Sequence, residues 1–130
     1  MRIEDMPAGP TMDEMVADVV MGWHAVTVAP GMSVWADADG EHVGYWVFDR
    51  PRRSMHSVWA PSQDIAAAWQ VVEELRYRFQ WGMHTWIDGL QYVDLIDPAS
   101  NDSWANADDS MPLAICRVAL RACGVTEVPD

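Results

Sequence analysis

A chain of 130 residues is one domain by length, here residues 1–130, and can bury about two-thirds of the surface its unfolded form exposes. Half of its residues are hydrophobic and 22% are charged, the composition of a folded globule and not of a disordered chain. Eight basic residues, all Arg, stand against 20 acidic ones, and a net charge of −12 repels a phosphate backbone, which argues against direct nucleic-acid binding.

The first predicted element is a helix. Thr11 and Glu14 have the spacing of a capping box, and Met12, Met15, Val16, Val19 and Val20 fall on one helical stripe, with Asp13, Glu14 and Asp18 off it. Gly22 is the natural stop. From His24 to about Ala60 the pattern is extended. Two strand-like runs, at Trp35–Ala36 and Val43–Phe48, flank the turn-forming Asp37-Ala38-Asp39-Gly40. Both alternating faces of the second run carry large apolar side chains, which predicts a strand covered on both sides. After Arg50-Pro51-Arg52-Arg53, residues 54–59 read as a further strand.

Ser62 is the expected N-cap of a second helix. Its buried stripe is predicted as Ile65, Ala68, Trp69, Val72, Leu75 and Phe79, with Glu73, Glu74 and Arg78 in solvent. Asp88-Gly89 then joins two strands at 83–87 and 90–96. Residues 97–110 are polar apart from Trp104 and read as a mobile loop. The last helix starts near Pro112 and runs to Gly124. It is apolar almost all round, with only Arg117 and Arg121 making a polar stripe.

No catalytic constellation is visible. There is no Gly-x-Ser-x-Gly elbow, and a Walker motif is impossible without Lys. His24, His42, His56 and His84 lie far apart, and Asp37-Ala38-Asp39-Gly40-Glu41 lacks the ligand ladder of a calcium loop, so neither metal nor cofactor is expected. Cys116 and Cys123, seven residues apart on one helix, are separated by about 10 Å and are read as reduced, buried thiols. No apolar run approaches the ~18 residues of a membrane span, and the first ten residues lack the apolar core of a signal peptide.

Two features stand out. Eight Trp is a high count; Trp23, Trp46, Trp59 and Trp69 have core explanations, while Trp35, Trp81, Trp86 and Trp104 are less obviously needed there. Three of the eight arginines also sit within four residues. Arg50, Arg52 and Arg53, with Trp59 or Trp104 stacking beside them, are therefore the candidate binding residues for a small anionic ligand. The competing explanation of the arginines is simple surface pairing with carboxylates.

Residues 12–23 (MDEMVADVVMGW), 60–75 (APSQDIAAAWQVVEEL) and 111–122 (MPLAICRVALRA) together resemble the phage ABA sandwich domain family of small bacteriophage proteins. The resemblance implies a three-layer α/β/α sandwich in the α/β (α+β) class. About three helices would enclose a small, mostly antiparallel sheet. It also implies a phage or prophage product acting in the host bacterial cytoplasm, and it transfers no catalytic residues. The reading that follows is a non-enzymatic phage accessory protein that binds a small, nucleotide-like ligand or a host protein, in a counter-defence setting. The alternatives are an acidic protein-interaction module or nucleic-acid mimic, and an enzyme whose site assembles only in three dimensions. Homo-oligomerisation is left open.

Overall fold

The computed structural model describes residues 1–47 and 58–128, and of Trp46 the backbone alone. It is an α+β fold with three helices and two three-stranded antiparallel sheets. Helix α1 (Pro10–Met15) continues as a π-helical segment, Val16–Val20, and α2 (Ile65–Leu75) and α3 (Met111–Ala122) follow later in the chain. The first sheet has the order β1 (His24–Ala29), β2 (Met32–Ala36), β3 (His42–Trp46). The second has the order β4 (Gln80–Thr85), β5 (Gln91–Ile96), β6 (Ser103–Asp108). Among the described residues no helix is long and apolar enough to cross a membrane.

Helix α3 is the hub. Residues 113–120 are all buried, and the helix packs on β5, β6 and α2 as well as on the π-segment. A helix apolar on nearly every side has to be enclosed in this way. The N-terminal segment is closed against it by a bridge between Arg2 and Glu127 and by the Ile3 N–H donating to the Thr126 carbonyl at 3.0 Å.

The first helix differs from expectation in its cap and its face. It starts at Pro10 behind Gly9, with no side-chain cap, so Thr11 and Glu14 form no capping box. The change to i→i+5 bonding at Val16 widens the turn. Met12, Val16, Ala17 and Val20 point inward, while Val19 turns out to solvent. Asp13, expected off the stripe, is buried. Gly22, with φ at +71°, ends the element as anticipated.

The expected Asp37–Gly40 turn connects β2 to β3. The Asp37 carboxylate accepts from the N–H groups of Asp39 and Glu41, so this acid organises a hairpin. Along β3, Val43 and Tyr45 are partly buried while His42 and Gly44 are exposed. The double covering predicted for this run rests on the side chains of Trp46 and Phe48, which lie outside the described structure. The strand expected over 54–59 falls largely outside the described residues.

Helix α2 is capped by Asp64, whose side chain accepts from the Ala66 N–H, and not by Ser62. Its buried residues are Ala67, Ala68, Val71, Val72 and Leu75. The predicted stripe is thus rotated by about one residue. Val72 and Leu75 are inside as expected, but Ile65 is 51% and Trp69 50% exposed. Both faces are apolar enough to qualify, and packing against α3 selects the one with Ala67 and Ala68, which lets the helices approach closely. Trp69→Ala is therefore expected to change stability by no more than about 0.5 kcal/mol in thermal or denaturant unfolding. A loss of several kcal/mol would place the indole in the core.

The β4–β5 hairpin turns at Asp88-Gly89 as expected, with the Asp88 carboxylate accepting from the Leu90 N–H. The mobile loop expected at 97–110 is instead a short turn followed by β6, paired along its whole length with β5. The segment looks polar because two of its inward side chains, Asn106 and Asp108, are bonded by Arg117 of α3. Arg117 and Arg121 form the stripe expected, but it faces β6, and Arg117 is only 8% exposed.

Candidate binding surface

Arg50, Arg52 and Arg53 lie outside the described residues. Trp59, expected to offer a free ring, is 2% exposed. Its indole lies 4.6 Å from Trp23 and 6.4 Å from Tyr45 between ring centroids, and its N–H donates to the Gln70 side chain. Trp104 is half-buried on the inner face of β6, edge-on to Phe79 at 5.9 Å. A cleft of about 100 Å³ opens beside Trp59, between Tyr45, Val58, Asp64 and Gln70. It has room for a few water-sized groups.

The reactive side chains of the interior are enclosed and bonded within the fold. Asp13 accepts from the Ser62 N–H at 2.8 Å, and the Ser62 hydroxyl accepts from the Gly9 N–H at 3.0 Å, which ties the start of α1 to the approach of α2. Burial raises the Asp13 carboxyl above the ordinary carboxylate range, against the opposing effect of the Ser62 bonds. The Cys116 thiol is pushed far up by burial and further by Asp13, and Cys123 is pushed up by burial, with Arg78 opposing. Both thiols are free; Cys116 is buried as expected, but Cys123 is only partly so. Neither has the thiolate character of a nucleophile. Among the described residues no three His, Cys, Asp or Glu side chains converge as a metal-ligand set.

Asp13 gives a pH dependence of definite sign. Its folded pKa is raised, so its contribution to stability is fully present below the unfolded value and is lost as pH rises through the folded one. Asp13→Asn retains an acceptor for Ser62 without a charge to desolvate. Its stability relative to the native chain should rise across that window, as read from unfolding at a series of pH values. Asp13→Ala, which strips the acceptor from a buried N–H, should cost about 1–3 kcal/mol. A native-to-Asn difference that does not change with pH would remove the burial argument.

The ordered aromatic groups that face solvent lie elsewhere. In the β4–β5 register His84 stands opposite Tyr92, and their rings stack at 5.7 Å and 28°. Trp86, just beyond β4, stacks on the same Tyr92 at 5.7 Å and 14°. Trp86 is 49% exposed, and the neighbouring Ile87 is fully exposed at the hairpin tip. Beside this ladder the Asp94 carboxylate lies across Gly82, where any side chain would collide with it. Val93 and Leu95 point the other way, into the core under α3. A second outward aromatic group, Trp69 and Tyr77, lies on and just after α2. The sequence reading missed the ladder. Its signal was present in the Asp88-Gly89 hairpin: once that turn is set, the strand period places residues 84, 92 and 94 on one face.

The family described as the phage ABA sandwich domain matches residues 14–120. No curated protein matches the chain.

Proposed function

This chain belongs to the phage ABA sandwich domain family, and we propose that it is a non-enzymatic phage accessory protein that works by binding a host factor, in the setting of counter-defence in the host cytoplasm. The observation that carries the reading is the outward presentation of Trp86 and Ile87 on a fully paired hairpin, with Trp69 on the outer side of α2. Trp and Tyr held rigidly in solvent add nothing to a monomer's core, and they are the side chains that dominate protein interfaces. Asp13 is taken up by the Ser62 N–H and Cys116 is buried with its thiol pKa raised, which supports binding over turnover. The three-layer α/β/α arrangement is part of the same proposal; what supports it is the family match, with α3 on β5 and β6 supplying one helix–sheet interface.

A photocrosslinking residue at position 86 tests the reading in host cells. A discrete protein adduct from 86, absent from a control at the exposed Ser100, is the expected result. Absence of any adduct at 86 and 69 overturns it.

A second reading keeps the small anionic ligand, with Arg50, Arg52 and Arg53 as its contacts. It is favoured by the cleft beside Trp59, one of the two tryptophans expected to accompany such a ligand. Native mass spectrometry should then find a phosphorylated or carboxylated ligand on the purified protein, lost in Arg52→Ala and Arg53→Ala.

A further inference from the structure

The outer face of the second sheet has no covering layer among the described residues, and its charge is one-sided. Between Phe79 and Cys116 the chain has six Asp and no Arg or Lys. Asp108 is offset by Arg117 on the inner side, and Arg121 is occupied by the carbonyl of Ala105 on the edge strand β6. The Asp94 carboxylate has no hydrogen bond or ion pair among the described residues, and it stands two positions along β5 from Tyr92, on the same face. Residues two apart on a strand are about 7 Å apart, so a carboxylate and an aromatic ladder share one strip of surface. Next to this strip, Gly82, Ala105 and Ala107 carry little or no side chain, so the sheet is shallow there and can admit a bulky group from outside.

We infer that the outer face of β4–β6 is the docking surface for a basic protein segment, one of whose arginine or lysine head groups pairs with the Asp94 carboxylate while a second, further along the segment, stacks on the exposed face of Trp86. The first is attracted electrostatically by the carboxylate, and the second through the ring quadrupole of the indole. Charge complementarity selects this occupant. A second copy of the chain carries the same −12 and the same acidic strip, and a nucleic acid brings phosphates. A basic chain gains from the field on approach and from the aromatic strip on contact.

The inference rests on the binding reading above and names the chemistry of its partner. The test titrates the full chain with a 12-residue peptide of alternating Arg and Val, following tryptophan fluorescence and heat. The same peptide with Glu for Arg is the control. Asp94→Asn and Trp86→Ser should each weaken binding about fivefold or more without lowering Tm, and added salt should weaken it further. Glu73→Gln, which removes an equal charge from the exposed side of α2, should leave binding unchanged. The inference is overturned if Glu73→Gln matches Asp94→Asn, if the Glu peptide binds equally, or if Trp86→Ser instead dissolves a homodimer. An adduct at position 86 to an acidic host protein would also overturn it while leaving the binding reading intact.

Discussion

Arg117→Ala is expected to destabilise the protein by about 3–5 kcal/mol, lowering Tm by roughly 10–20 °C. The guanidinium is 8% exposed and serves three partners. Its Nε and one terminal nitrogen donate to the Met6 carbonyl at 3.1 and 2.8 Å. The other terminal nitrogen donates to Asp108 at 3.1 Å and to Asn106 at 3.4 Å. Removing it leaves a buried carbonyl and a partly buried carboxylate without compensation, and the lost partner costs more than the net worth of the pair. The same change frees the N-terminal segment from α3, so hydrogen exchange at Ile3 and Met6 should accelerate together with that of β6. Arg117→Lys keeps the charge but cannot span Met6 and Asp108 with one planar fork, and should recover only part of the loss. A cost below about 1 kcal/mol for Arg117→Ala would show that these bonds are replaced by water.

Arg117 also shows where a sequence reading succeeds and where it stops. The three helices were legible, because each stretch is apolar at helical spacing and bounded by a Pro, Gly or Ser signal, and so were the two hairpins organised by Asp37 and Asp88. What was not legible depends on tertiary choice. The pattern of α2 offers two overlapping apolar stripes, and only contact with α3 decides that Ala67 and Val71 go inside in place of Ile65 and Trp69. Strand β6 alternates small and polar residues, which resembles a loop until Arg117 supplies the inward partners of Asn106 and Asp108. Asp13 is a comparable case: an acid in the first turn of a helix ordinarily faces solvent, and its inward turn needs the Ser62 N–H from 49 positions away. The arginine-based candidate site drew on composition alone. The aromatic ladder needed only strand register, which was available once the Asp88-Gly89 hairpin was recognised.

Trp59→Ala is the second substitution expected to act strongly, at about 3–5 kcal/mol, the cost of emptying a large aromatic site. Trp59 is the largest of the fully buried side chains, and it joins parts of the fold that share few other contacts. Trp23 enters from the residue before β1, Tyr45 from β3, and Gln70 from α2, and all three meet the Trp59 indole. The ring therefore fastens the first sheet to the helices, and its loss should do more than lower overall stability. Amide exchange in β1, β2 and β3 should rise out of proportion to exchange in β5 and α3, because sub-global opening follows the weakest shared contact. The near-ultraviolet circular dichroism from the close Trp23–Trp59 pair should vanish as well. Trp59→Phe keeps most of the apolar volume and removes the N–H, so it should lose less, isolating the share of the Gln70 bond. The contrast with Trp69 is the decisive comparison. Two tryptophans ten residues apart, both readable as core from periodicity, should differ by several kcal/mol on truncation. Equal losses at the two positions would mean that Trp59 does not join the sheet to the helices and that Trp69 is not part of an outward binding face.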